Sequence, residues 1–208
     1  MADPGDLDAA LAALRRDEAI VYPTETFYGL GARALSAPAV AALAALKGRD
    51  AQKPIALIVR DPTMLASVVS RVPPPAARLV AKCWPGPLTL VLPARRDLPP
   101  ELTSGSGRIG VRVSSHPTAQ ALVTALNEPI TATSANPGGD EPAVDVATAR
   151  GYFGTRVAAY VDGGVLAGGL GSTVLLVADD EVRVIRPGAI ALDVIAQILG
   201  TTPLHPQP

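Results

Sequence analysis

Several stretches of this sequence carry side chains whose types and spacing suit the handling of an anion. Lys47-Gly48-Arg49, followed by Lys53, is the first. A glycine at a helix end lets the chain turn sharply, so Lys47 and Arg49 can point into one cavity. There the guanidinium forks onto phosphate oxygens and the ammonium acts as a mobile point charge. A solvated helix C-terminus would also favour basic residues, through the helix dipole. Thr133-Ser134-Ala135-Asn136-Pro137 is the second stretch. Serine and asparagine two apart, directly after an apolar strand, set a hydroxyl and an amide at a sheet end. Such groups bind phosphate or ribose without adding charge, or they simply cap a turn before Pro137-Gly138-Gly139.

Arg112 lies inside Ile109-Gly110-Val111-Arg112-Val113, among apolar neighbours. A buried guanidinium is costly unless paired. Two partners remain open: an internal carboxylate, or the carboxylate of a ligand such as an amino acid. Arg186, at the end of Val182–Ile185 and before Pro187-Gly188, repeats the situation. Val21 to Gly31 adds Thr24, Glu25, Thr26 and Tyr28 in five positions, then Gly29 and Gly31. Here Glu25 suits a general base or a partner for an arginine. His116, before Pro117, suits a helix cap better than catalysis. Cys83 beside Trp84 reads as core. Ser172-Thr173 either donates to a ligand or begins a strand.

Known nucleotide signatures are missing. There is no GxxxxGK[ST], and Gly29-Leu30-Gly31 runs on to Ala32-Arg33 rather than completing GxGxxG. Gly163 to Gly171 is glycine-rich without a following lysine, as in a surface loop. A nucleotide site would therefore have to be built from cations. His116 and His205 stand far apart in no metal-ligand spacing, and the single cysteine forms neither a disulfide nor a cysteine zinc site.

The elements that must position these groups alternate between strand and helix. Helices are expected over Leu7–Asp17, Ala39–Lys47 (capped by Ser36, ended by Gly48), Asp61–Val69, Ala76–Cys83, Pro117–Leu126, Val144–Phe153 and Ala191–Leu199. Strands are expected over Ala19–Tyr22, Pro54–Val59, Leu88–Leu92, Ile109–Val113, Pro129–Thr133 and Val157–Asp162. Thr173–Val177 and Val182–Ile185 read as a hairpin around Asp179-Asp180. Arg95–Gly107 reads as a polar loop. The class is α/β, a mixed twisted sheet with helices against it.

The totals suit one domain. The chain has 208 residues, 48% hydrophobic and 18% charged, with 18 basic and 19 acidic side chains. Near neutrality leaves no electrostatic footprint for a dedicated nucleic-acid binder, and no stable nucleic-acid binding is expected. The acidic N-terminus lacks a signal-peptide pattern, and no run of about 18 apolar residues exists to span a bilayer. A soluble cytoplasmic protein is expected, with a domain over 1–200 and a flexible tail over 201–208.

Taken together, the motifs resemble the YrdC-like family, also called TsaC. They are Tyr-Pro-Thr-Glu-Thr-Phe-Tyr-Gly-Leu-Gly at 22–31, Lys-Gly-Arg at 47–49, Lys-Pro at 53–54, Trp-Pro-Gly-Pro-Leu-Thr at 84–89, Val-Arg at 111–112 with His-Pro at 116–117, Thr-Ser-Ala-Asn at 133–136, Ser-Thr-Val at 172–174 and Arg-Pro-Gly at 186–188. Any one is weak. Eight in order, spread over nearly the whole chain, are specific.

The resemblance implies a YrdC-like twisted sheet flanked by helices around a central positively charged cavity, in the short single-domain form. It implies a threonylcarbamoyl-AMP synthase, joining L-threonine, bicarbonate and ATP and releasing pyrophosphate. A downstream transfer complex would then modify tRNA. Lys47, Arg49, Ser134 and Asn136 would surround the phosphates of ATP, with Arg186 also on that side and Lys47 and Arg49 carrying catalysis. Thr24, Arg112, Ala132 and Ser172 would contact threonine. Mg2+ would come with the nucleotide. Other readings are a carbamoyl-adenylate-forming enzyme of another pathway and an RNA-binding module without chemistry. Two positions depart from the family pattern: Arg108 replaces a common threonine four before Arg112, and Asp50 follows Arg49 where a proline is usual.

Overall fold

The structure, a computed structural model, describes residues 3–48 and 54–204. It opens with α1 (Pro4–Arg15), started by Asp3, whose carboxylate accepts from the Gly5 amide at 2.7 Å. A hairpin follows, β1 (Ile20–Pro23) and β2 (Tyr28–Gly31), then α2 (Ala37–Lys47). Ser36 caps α2, and Gly48 ends it at φ 56°, the left-handed conformation that glycine adopts without strain. Next come β3 (Leu57–Ile58), a 3-10 turn over Pro62–Ser67 capped by Asp61, α3 (Pro74–Cys83), β4 (Leu88–Pro93), α4 (Pro100–Thr103), β5 (Arg108–Arg112) and α5 (Pro117–Leu126). The chain closes with β6 (Ile130–Thr131), β7 (Thr133–Ser134), α6 (Val146–Phe153), β8 (Ala159–Tyr160), β9 (Thr173–Ala178), β10 (Glu181–Arg186) and α7 (Leu192–Leu199). None of the described helices is long and apolar enough to cross a membrane.

The strands form two mixed sheets, ordered β7-β2-β1-β8 and β10-β9-β4-β5-β3-β6. In the larger, β4–β9 and β3–β5 run parallel and β4–β5 and β9–β10 antiparallel. One stretch joins the sheets. Ile130 and Thr131 pair with β3, Thr133 and Ser134 pair with β2, and the Ala132 amide between them donates to Ala56 O at 2.7 Å. The site therefore forms where the two sheets diverge.

Period-two alternation decides what the larger sheet shows to each side. On β4, β5 and β9, Leu88, Leu90, Ile109, Val111, Thr173 and Leu175 are wholly buried on the core side. Their neighbours Thr89, Val91, Gly110, Arg112, Ser172 and Val174 line a cavity on the other. A smaller cluster packs α1 and α5 against β1 through Leu14, Ile20, Tyr22, Leu122 and Val123.

Several expectations change. Tyr28–Gly31, outside the expected strands, forms β2. Glycine is a poor strand former, but here it makes room. A Cβ at Gly31 would come within 2.8 Å of the Tyr22 ring, and one at Gly29 within 3.3 Å. The ring lies over both, and its hydroxyl donates to Thr131 O at 2.8 Å. The strand expected over Pro129–Thr133 is divided between two sheets. The one expected over Pro54–Val59 is regular strand at Leu57–Ile58, with single backbone bonds at Ala56 and Val59 on either side. Asp61–Val69 holds a 3-10 turn, and the polar loop contains α4. The tail is paired as far as Leu204, whose carbonyl accepts from the Val184 amide at 2.8 Å and whose amide donates to Val182 O at 2.9 Å.

Candidate active site

A cavity of about 850 Å3 lies between the sheets, within the range of about 300–1,000 Å3 typical of small-molecule sites. Lys47, Ser134, Asn136, Arg186, Thr24, Arg112, Ala132 and Ser172 all line it. Arg49, Asp50 and Lys53 lie outside the described residues. Among the described lining residues the charged ones are Lys47, Arg112 and Arg186, so the wall is cationic in a chain that is nearly neutral. Arg108 is not among them.

Lys47 occupies the last turn of α2 and is 6% exposed. Its ammonium donates to Ser134 O at 2.5 Å and lies 3.3 Å from Ser134 Oγ and 3.4 Å from Asn136 Oδ1. The Asn136 amide nitrogen donates to Pro137 O and Asp140 O, at 2.8 and 2.7 Å, which fixes its oxygen towards the lysine. Helix end and strand end are thereby tied together over a buried positive charge.

Arg186 projects from the end of β10. Its Nη2 donates to Ser172 O at 2.8 Å and lies 3.3 Å from Ser172 Oγ, which in turn lies 2.9 Å from Thr89 Oγ1. Glycine is required beneath it. A Cβ at Gly188 would overlap the backbone of Gly171, Ser172 and Thr173. With no side chain there, the Ala189 amide reaches Gly171 O at 2.9 Å. Burial, and then the neighbouring charge of Arg112, push the Arg186 pKa below its ordinary value. Two guanidinium groups that repel one another in this way favour an anion between them.

Of the two partners open to Arg112, the structure holds the internal one. Glu25 Oε1 accepts from Arg112 Nη1 at 2.8 Å, and both side chains are largely buried. Arg112 is therefore not an uncompensated charge, because desolvating it alone would cost too much. The bond occupies one nitrogen of a five-donor group. Glu25 also accepts from the hydroxyl of Ser114, and Ser114 Oγ accepts from the His116 amide at 3.2 Å. Thr24 Oγ1 donates to Phe27 O at 2.7 Å and accepts from the Thr26 amide at 3.3 Å, which sets the turn carrying Glu25. His116 is a cap: its Nδ1 accepts from the Thr118 amide at 3.2 Å.

Sequence reasoning did not single out Thr89, Gly110 or Val174 for the cavity. The signal was available, since each alternates with core residues: Gly110 on the strand that carries Arg112, Val174 on the strand that follows Ser172, and Thr89 on β4, which pairs with both. Gly110 keeps the floor flat, as a Cβ there would meet Thr89 Cγ2 at 3.3 Å and Ala56 Cβ at 3.4 Å.

Comparison with known proteins agrees with this architecture. A family model described as Sua5_yciO_yrdC, telomere recombination, matches residues 12–188. Threonylcarbamoyl-AMP synthase of Bacillus subtilis (strain 168) is 38% identical over 204 residues, covering 98% of this chain and 58% of that protein. Threonylcarbamoyl-AMP synthase of Halorhodospira halophila is 42% identical over 154 residues, covering 74% of this chain and 81% of that protein. A crystal structure of P. abyssi Sua5 complexed with L-threonine superposes with a TM-score of 0.92 at 32% identity, covering 96% of this chain and 59% of the other. The chain thus spans less than two thirds of the Bacillus and P. abyssi proteins.

Proposed function

Because this chain belongs to the Sua5/YciO/YrdC family, we propose that it is a threonylcarbamoyl-AMP synthase, forming threonylcarbamoyl-AMP and pyrophosphate from L-threonine, bicarbonate and ATP. One observation carries the reading. Cations and hydroxyls from α2, β5, the β7 turn and β10, scattered along the chain, line a single cavity. The amine of threonine adds to bicarbonate with loss of water, giving a carbamate. A carbamate oxygen then attacks the α-phosphorus and pyrophosphate leaves. Little of this needs a side-chain nucleophile. The protein's contribution is positioning and charge stabilisation.

We assign Lys47, Arg49, Ser134, Asn136 and Arg186 to ATP, with Lys47 and Arg49 catalytic. Thr24, Arg112, Ala132 and Ser172 are assigned to threonine. In this assignment Arg112 keeps Glu25 on Nη1 and offers Nε and Nη2 to the amino-acid carboxylate. A wall of hydroxyls, one amide and cations does not suit a resident divalent metal, which takes carboxylate and carbonyl oxygens. Mg2+ is accordingly assigned to the nucleotide. The product passes to a tRNA-modifying transfer complex, and the protein is placed in the cytoplasm.

The test is pyrophosphate release from ATP with threonine and bicarbonate each omitted in turn. Release that needs both supports the reading. Release without threonine, or with carbamoyl phosphate in its place, assigns the cavity to a different carbamoyl adenylate.

A further inference from the structure

Glu25 is the one carboxylate in the motif at 22–31, and its placement does not suit a base. Thr24, Thr26, Phe27 and Tyr28 line the cavity, whereas Glu25 is not among the lining residues. It sits behind Arg112. One oxygen accepts from Arg112 Nη1 at 2.8 Å, and the other accepts from the Ser114 hydroxyl. Ser114 is itself wholly buried and fixed on both sides. Its Oγ accepts from the His116 amide, and its carbonyl accepts from Gln120 Nε2 at 2.8 Å. A chain of bonds therefore runs from the start of α5, through Ser114 and Glu25, to the guanidinium on the cavity wall.

We propose that Glu25, backed by Ser114, is a positioning residue that holds Arg112 from behind, so that its Nε and Nη2 edge faces the carboxylate of the amino-acid substrate. The inference rests on the threonine reading of the cavity. Arginine has many rotamers, and a guanidinium left unanchored must be ordered by the ligand at the ligand's expense in affinity. Anchoring Nη1 removes that cost. It also leaves free the two donors whose spacing matches a carboxylate. The negative charge of Glu25 opposes the incoming carboxylate, so anchoring and repulsion predict opposite outcomes when Glu25 is neutralised.

The experiment uses the full chain and compares wild type with Glu25→Gln, Ser114→Ala and the double variant. Pyrophosphate release is measured with threonine varied at saturating ATP and bicarbonate, then with ATP varied. Binding of L-threonine and of L-threoninol, which lacks the carboxylate, is measured by calorimetry. For Glu25→Gln the threonine KM rises about tenfold, in keeping with one charge-assisted hydrogen bond. The kcat and the KM for ATP change less than about twofold, and threoninol binding is unaffected. Ser114→Ala shifts threonine in the same direction by less, and the double variant is no worse than Glu25→Gln, as expected for residues acting in series. Ser114→Ala carries the test alone if Glu25→Gln does not fold.

A fall in kcat with threonine KM unchanged makes Glu25 a base and overturns the proposal. So does tighter threonine binding, which makes Glu25 a competitor for Arg112, and so does an active, unaltered Glu25→Gln. A wild-type chain whose pyrophosphate release ignores threonine overturns the functional reading, and this inference with it.

Discussion

The ammonium of Lys47 lies 3.4 Å from the amide oxygen of Asn136, across 89 positions of chain. This juxtaposition fastens the C-terminal end of α2 to the turn after β7 and places a buried cation at the cavity wall. Lys47→Ala removes an oriented donor while leaving Gly48 to end the helix. The expected loss is about 2.7–4 kcal/mol of transition-state stabilisation, roughly 100- to 1,000-fold in pyrophosphate release. Steady-state kinetics at saturating threonine measure it. A variant retaining near wild-type turnover would remove Lys47 from the mechanism.

Arg112 and Arg186 repel one another across the cavity, which lowers the Arg186 pKa beyond the effect of burial. An anion that bridges them should therefore stabilise the fold without any threonine present. Pyrophosphate at a hundredfold excess over its Kd adds about 2.7 kcal/mol, on the order of 5–10 °C in Tm for a chain of this size. Arg186→Ala should abolish most of that shift. A thermal melt with and without pyrophosphate checks both. An equal shift in wild type and variant would place the anion elsewhere.

Gly188→Ala tests the seat beneath Arg186. The φ at this position is unremarkable for any residue, so the cost is steric. The new methyl meets the backbone of Gly171, Ser172 and Thr173, which cannot swing aside as a side chain would. The segment must lift, stretching the bond from the Ala189 amide to Gly171 O and the 3.0 Å bond from the Ile190 amide to Thr173 Oγ1. Overpacking of this kind costs about 1–3 kcal/mol. Lower Tm and weaker ATP binding should appear together, because Arg186 moves with the segment. Unchanged ATP affinity in a destabilised variant would separate Arg186 from the nucleotide.

How much of this was legible depended on how local each feature is. Lys47-Gly48 could be read because a helix end is set by residues next to one another, and Arg112 because a charge inside an apolar strand stands out. The partner of Arg112 could not be chosen, since Glu25 lies 87 positions away and only the tertiary structure brings it near. β2 was missed because Gly29 and Gly31 argue against a strand until the Tyr22 ring is seen to need their space. The transfer of residues 130–134 from one sheet to the other leaves no periodic mark, because two residues pair on each side of Ala132. Thr89 and Gly110 follow from strict alternation once their strands are accepted as having an open face.

His116 ties the stability of the α5 end of the site to pH. Its Nδ1 accepts from the Thr118 amide, which only an unprotonated nitrogen can do. Burial, opposed by the nearby charge of Glu25, pushes the imidazole pKa below its ordinary value. In the unfolded chain the ring titrates at about 6.5, so on acidification the unfolded state takes up the proton first. The stability contributed by neutral His116 is intact above that pH and is lost as pH falls through the lower folded value. His116→Asn keeps a good cap without a titrating group, so this part of the acid-side decline should vanish while stability at pH 8 stays near wild type. His116→Ala should also lose the decline, and at pH 8 it should be about 0.5–2 kcal/mol less stable, the cost of an absent cap. Urea denaturation at intervals between pH 5 and 8 compares the three proteins. An equally steep decline in His116→Asn would mean that another group, not His116, senses the proton.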